Sequence, residues 1–252
     1  MTALLEVVHV TKRFGGNAVV DDVTLAVQAG EAVGLIGANG AGKTTLFRMI
    51  AGELPTTSGE VRFDGAVPPR RPEARAMLGI ARTFQLVELF EGLTVLDHLL
   101  VALQAHERQQ GPLRDLVWRG STTPEERARC EEALELCGLH DLADAPATAL
   151  SLGERRGVEL ARALAPGPRL LLADEPSSGL DPDEATALAA TIGRVRTETG
   201  LAVLLVEHDL ATVAAVAERV IAMDAGRVIA EGEFGSVVAN PLVVQSWLGR
   251  TA

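Results

Sequence analysis

The chain has 252 residues, 47% hydrophobic and 23% charged, enough apolar chain to bury a full core. Lys and Arg number 23 against 34 Asp and Glu, a formal charge of −11, so the basic stripe of a nonspecific nucleic-acid binder is missing. No apolar run approaches the roughly 18 residues of a bilayer span, the first residues show no export signal, and two cysteines make no disulfide framework. The expectation is a soluble protein kept reduced inside the cell.

In chain order, residues 4–10 and 23–27 alternate apolar and polar side chains, as half-buried antiparallel strands do. Residues 32–36 (AVGLI) form a continuous apolar run, the sign of a strand buried on both faces. A helix over 43–51 closes at Gly52, and a strand over 60–63 lies between the turn signals Ser58-Gly59 and Asp64-Gly65. From about residue 94 the period becomes helical, with Leu96, Leu99, Leu100 and Leu103 on one stripe. Breaks follow at Gly111-Pro112 and 121–124, and a second helix begins near Pro124, with Glu125 and Glu126 in its first turn. Beyond Ser151, apolar runs at 169–173 and 201–206 alternate with helical stretches near 183–199 and 209–218. Such alternation predicts a mainly parallel sheet with helices on its faces, interrupted by a helical insertion over about 86–160. The tail ends in a short helix containing Trp247 and stopped by Gly249.

The segment Gly37-Ala-Asn39-Gly40-Ala41-Gly42-Lys43-Thr44-Thr45 fits the phosphate-binding loop pattern G-x-x-x-x-G-K-[ST], with a buried strand before it and a helix after it. Its glycines let backbone N–H groups fold into a nest for phosphate oxygens; Lys43 would neutralise the β and γ phosphates and the Thr44 hydroxyl would ligate Mg²⁺. Asp174-Glu175 ends the apolar run at 169–173, where parallel sheets place their ligands. Asp174 there would hold Mg²⁺ through water, and Glu175 would orient and deprotonate the attacking water. Ser151 and Glu154 have the spacing of a capping box, so Ser151 is expected to start a helix, and Gly153 leaves its first turn open to an anion.

Taken together, these residues resemble the ATP-binding cassette (ABC) ATPase family. Leu150-Ser-Leu-Gly-Glu154 stands where the family carries LSGGQ; Gln85 in Arg82-Thr-Phe-Gln85 matches the Q-loop; Ser178-Gly-Leu-Asp181 matches the D-loop; His208 matches the switch histidine; and Phe14 falls where the family stacks an aromatic on adenine. The resemblance implies a P-loop α/β fold with a parallel RecA-like core sheet, an N-terminal antiparallel β subdomain and an inserted α-helical subdomain. It divides a single ATPase domain into a core (1–85 and 161–235), a helical signature subdomain (86–160) and a C-terminal extension (236–252). It implies ATP and Mg²⁺ as cofactors, with Thr44, Gln85 and Asp174 around the metal and Lys43, Gln85, Glu175 and His208 in catalysis. It also implies a head-to-tail pair of cassettes, identical or paralogous, in which Ser151 and Gly153 of one chain reach the γ-phosphate held by the other.

Within the family, the run from Gly79 through Gln85 and Phe90 to Leu100, and the tail from Asn240 to Gly249, resemble the ATPase subunits of branched-chain amino-acid importers. Related importers of urea, amides and other small solutes, and the lipopolysaccharide-export ATPase, share parts of this pattern. That resemblance implies two membrane permeases, an indirect link to a solute-binding protein, no nucleic acid, and a place on the cytoplasmic face of the membrane. Leu86, Val87, Leu89 and Phe90 are expected to line the permease socket. The chain departs from the common pattern at Leu152, where glycine is usual, at Glu154, where glutamine is usual, and at Phe14, where tyrosine is frequent. Glu154 brings a negative charge towards phosphate unless it turns back to cap its helix. A soluble, non-transport ABC ATPase is the alternative of a different class; the short insertion and single phosphate loop disfavour it. Cys130, Cys137 and His140 match no zinc spacing, so buried reduced thiols are expected.

Overall fold

The computed structural model describes residues 3–83, 89–108 and 122–248. The chain begins with an antiparallel pair, β1 (Leu5–Phe14) and β2 (Asn17–Val27), whose pairing is interrupted by bulges near Val10 and Lys12. Both strands run further than the alternation at 4–10 and 23–27 suggested, because the Gly15-Gly16 turn lets the ladder continue to Phe14 opposite Asn17. Next come β3 (Ala32–Ile36), α1 (Lys43–Ile50) and β4 (Ser58–Phe63). α1 stops at Ala51, and Gly52, at φ 83°, takes the left-handed turn that a helix end favours. Strand β4 joins the other edge of β1, giving a three-stranded antiparallel sheet in the order β2-β1-β4.

After α2 (Pro72–Ala76) and the short β5 (Ile80–Arg82), the chain enters a helical layer. It holds α3 (Val95–Arg108), α4 (Pro124–Leu136) and α5 (Leu152–Leu164). The predicted stripe is real: Leu96, Leu99, Leu100 and Leu103 are all buried and pack with Leu134, Val158 and Leu160. The core then resumes with β6 (Leu170–Asp174), α6 (Pro182–Thr199), β7 (Ala202–Val206), α7 (Leu210–Val216), β8 (Arg219–Asp224) and β9 (Arg227–Gly232). Helices α8 (Phe234–Val238) and α9 (Pro241–Leu248) finish it.

The second sheet has the order β5-β6-β7-β3-β8-β9, parallel throughout except for β9. Its central strands are buried on both faces because the period of two sends alternate residues into different cores. Leu170, Leu172 and Leu204 face α1 and the antiparallel sheet, whereas Leu171, Ala173, Val203 and Leu205 face the helical layer. With Gly37 following β3 and Glu175 and Glu207 following β6 and β7, the carboxyl ends of three neighbouring strands open onto one edge. That edge is where an open α/β sheet binds its ligand. Cys130 and Cys137 are buried free thiols, pushed by burial up to about 11 and about 12 respectively.

Candidate functional site

The loop between β3 and α1 is shaped by what presses on it. Gly37 and Gly42 have φ of 148° and 100°, and a Cβ on either would lie 2.2 Å from the Met223 carbonyl oxygen or 2.5 Å from that of Val19. Neither position admits a side chain. The Ala41 carbonyl accepts a bond from the Gly226 N–H at 3.0 Å, pinning the loop to the β8–β9 turn. No side chain caps α1 and its first turn holds no carboxylate, so its leading amides offer an anion site. Lys43 is buried and its Nζ donates to the carbonyls of Gly37 at 2.6 Å and Ala38 at 3.2 Å, spanning the loop. Burial draws the Lys43 ammonium below the ordinary lysine pKa, and the charges of Glu175 and Asp174 resist that shift. Asn39, Gly40 and Thr44 stand exposed on the open side, while Ala41 is buried and Thr45 half-buried.

Asp174 is the last residue of β6 and is only 4% exposed. Arg82 at the end of β5 donates to its Oδ2 at 2.8 Å and also pairs with Glu53. Glu175 follows in a left-handed conformation, φ 49°, which a non-glycine residue adopts at a cost of about 1 kcal/mol or more. Its N–H donates to the Val206 carbonyl at 2.8 Å, and its Oε1 lies 2.6 Å from Nε2 of His208. A base carboxylate held against an imidazole, beside a cation-lined loop, is an arrangement for activating water next to a phosphate.

Ser151, Gly153 and Glu154 form a second group at the start of α5. Ser151 is the N-cap: its Oγ accepts from the Glu154 N–H at 3.2 Å, and its own N–H donates to Glu154 Oε2 at 2.7 Å. Glu154 has therefore turned back to cap the helix, as one of its two sequence readings allowed. A Cβ on Gly153 would come within 3.0 Å of Oε1 of Glu184 in α6, and Arg156 Nη2 donates to the Ser178 carbonyl at 3.0 Å. Asp181, expected from the sequence to close the D-loop, caps α6, its Oδ1 accepting from the N–H groups of Asp183 and Glu184 at 2.9 Å each. The turn at 151–154 and the segment 178–184 are thus one packed unit. Phe14 stands 51% exposed at the tip of the β1–β2 hairpin with Lys12 Nζ 5.2 Å from its ring centroid. Gln85, Leu86 and Val87 lie outside the described residues.

Sequence reasoning missed several residues that the fold brings here: Arg82 on Asp174, the backbone of Met223 and Gly226 against the loop, and Glu207 beside His208. A cavity of about 350 Å³ runs along the loop and is lined by Ala38, Asn39, Glu207, His208 and, from the C-terminal helix, Trp247. Among the described residues no group of three or more His, Cys, Asp or Glu side chains could hold a metal ion by itself. One carboxylate and one hydroxyl suit Mg²⁺ only when nucleotide phosphates complete the shell, which is how this hard cation is commonly held.

A family profile described as "ABC transporter" matches residues 20–178, well over half of the chain. The chain belongs to the ABC transporter family. It is an ATP-binding, ATP-hydrolysing cassette subunit. The high-affinity branched-chain amino acid transport ATP-binding protein BraF of Pseudomonas aeruginosa is 37% identical over 98% of this chain and 98% of its own length. The methionine import ATP-binding protein MetN of Rhizobium etli is 36% identical over 98% of this chain and 66% of its own. Among solved structures, the ADP conformation of an ATP-binding cassette of an ABC transporter superimposes with a TM-score of 0.87 at 30% identity, covering 99% of this chain and 100% of that one. A dimeric post-hydrolysis cassette bound to ADP and Pi does so at 0.74 and 27% identity, covering 91% and 98%. Among the described residues, no helix of this cassette is long and apolar enough to cross a membrane.

Proposed function

We propose that this ABC subunit hydrolyses ATP at the edge formed by β3, β6 and β7 and drives import of branched-chain or related amino acids. The observation that carries the catalytic reading is the 2.6 Å Glu175–His208 pair beside the Lys43 loop. Lys43 and the amides following Gly42 bind the β and γ phosphates, with Gly37, Asn39, Gly40, Ala41 and Thr45 shaping the nest, and Phe14 offers its exposed ring to the adenine. Thr44 and Asp174, joined by Gln85, are the residues that would hold Mg²⁺, which when bound neutralises phosphate charge. Glu175 takes the proton of the attacking water, and His208 holds the Glu175 carboxylate and the γ-phosphate side of the site.

A second cassette completes the reaction: Ser151 and Gly153 are reserved for the γ-phosphate of the opposing chain, with Glu154 capping their helix and Asp181 ordering the D-loop between them. The dimeric state of the relative with ADP and Pi supports that pairing. The division proposed is a core of 1–85 and 161–235, a helical subdomain of 86–160 and a C-terminal extension of 236–252. At the junction of core and helical layer, a groove of about 390 Å³ is lined by Phe90, Leu93, His98, Val101, Glu159 and Arg162 among others, with Phe90 66% exposed. Exposed apolar area of this kind suits a permease partner, and the likeness to an importer subunit supports a place on the cytoplasmic face of the membrane with two permeases and, through them, a solute-binding protein. Leu89 instead packs against the helical core.

The near-full-length likeness to BraF favours branched-chain substrates over methionine. Uptake of labelled leucine, methionine and urea by cells carrying the chain with its permeases and binding protein tests this. Leucine uptake that disappears on deletion of the chain and returns with the wild-type gene is expected; uptake of urea or methionine alone would overturn the solute assignment.

A further inference from the structure

Glu207 lies between the last residue of β7 and His208, and it is 3% exposed. A carboxylate so buried normally faces a cation, because an unpaired charge away from water is costly. Among the described residues Glu207 forms no ion pair; four N–H or O–H donors converge on it instead. Its Oε1 accepts from Ser177 twice, from the N–H at 2.7 Å and from Oγ at 2.6 Å. Its Oε2 accepts from the N–H groups of His208 at 3.0 Å and Asp209 at 3.5 Å.

The two halves of this carboxylate therefore hold two different loops. Ser177 is two residues beyond Glu175, at the entry to the D-loop, and His208 is the imidazole that meets Glu175. Between them the Glu175 N–H bonds to the Val206 carbonyl. Glu175 needs such support, because a left-handed φ at a non-glycine residue persists only where its surroundings over-determine it. We propose that Glu207 is a positioning residue that ties the entry of the D-loop to the His208 turn, and so fixes the Glu175–His208 pair and the D-loop as one unit. The proposal rests on the reading of that pair given above. It also gives a route by which movement of the D-loop at a cassette–cassette contact reaches the imidazole.

An amide cannot replace this carboxylate. Glu207→Gln keeps the shape but turns an NH₂ towards one of the two donor sets, so one arm of the tie opens. The experiment uses the full chain assembled with its transporter partners and compares wild type, Glu207→Gln, Ser177→Ala and the double variant. Hydrogen–deuterium exchange should rise in Glu207→Gln both at 175–181 and at 206–210. ATP affinity should stay within about twofold of wild type while turnover falls about tenfold or more, a loss confined to the reacting arrangement. Ser177→Ala removes a single donor and tests the same tie without threatening the fold. Because both substitutions act on one contact, the double variant should be no slower than Glu207→Gln alone. Exchange unchanged in either segment, or losses that multiply in the double variant, would overturn the tie. His208→Ala separates the two readings: normal turnover in that variant, with exchange still raised in both segments of Glu207→Gln, removes the catalytic assignment of His208 and leaves the tie standing.

Discussion

Glu175 shows how the site is made from single residues. Its backbone is strained at φ 49° and its carboxylate is pressed against His208. Asp174 beside it is buried at the end of β6 with the Arg82 guanidinium on it. The strand ends at Asp174 and the left-handed turn at Glu175 redirects the chain, so the neighbouring carboxylates find separate partners, a guanidinium for one and an imidazole for the other. The thiols illustrate the reverse case, groups buried without a chemical task. Burial holds the Cys130 thiol at about 11 and that of Cys137 at about 12, so both stay protonated near neutral pH, and the thiolate is the reactive form. Iodoacetamide at pH 8 should leave both unmodified in the folded protein and modify both in urea. The same shift has a stability consequence. Their folded values lie above the value of about 8.5 for a free thiol, so the unfolded chain releases these protons first. Stability should hold up to about pH 8.5 and fall as pH rises towards about 12, measurable as a decreasing urea midpoint; rapid alkylation of the folded chain at pH 8 would contradict this.

At the scale of elements, helix ends do much of the positioning. Capping boxes start α4, α5 and α6 at Thr123, Ser151 and Asp181, whereas α1 starts at Gly42 with no side-chain cap on its first amides. Ser151→Ala and Asp181→Ala should each cost about 1 kcal/mol, read as a lower urea midpoint. Glu154→Gln should cost less than about 0.5 kcal/mol, since glutamine also fills the third position of a capping box; a loss as large as that of Ser151→Ala would show that Glu154 acts through its charge and not through the capping hydrogen bond alone. The elements that could be read in advance are those whose signal is local. AVGLI at 32–36 is strand β3 to the residue, and Ser151 with Glu154 marks the start of α5. β5 is three residues long and exists only through pairing with β6, so no local pattern announces it. The β8–β9 hairpin carried a usable signal, the doublet Arg219-Val-Ile-Ala and Arg227-Val-Ile-Ala around an Asp224-Ala-Gly226 turn, read here only from the fold. Arg82 and Glu207 stayed hidden for a different reason. Their partners, Asp174 and Ser177, are 92 and 30 residues away, so their roles are set by topology.

Across the whole molecule, the sheet edge holding the nucleotide loop and the groove holding Phe90 are joined through Arg82, which touches Asp174 on one side and lines the groove on the other. Phe90 is stacked on His98, their ring centroids 6.1 Å apart, and the Phe90 N–H donates to His98 Nε2 at 2.8 Å. Replacing Phe90 by Asp should therefore leave ATP binding within about twofold while reducing permease recovery and solute uptake about tenfold, because an apolar anchor at an interface centre carries much of its energy. Loss of ATP binding in that variant would contradict the separation of groove from nucleotide loop. In the proposed function Glu175 activates water at a site that binds ATP independently of it. The most direct test of this is ATP affinity and phosphate release measured side by side for wild type and Glu175→Gln in the assembled transporter. Affinity within about threefold of wild type with phosphate release reduced by a hundredfold or more is the result predicted for a general base. Phosphate release near the wild-type rate would contradict it.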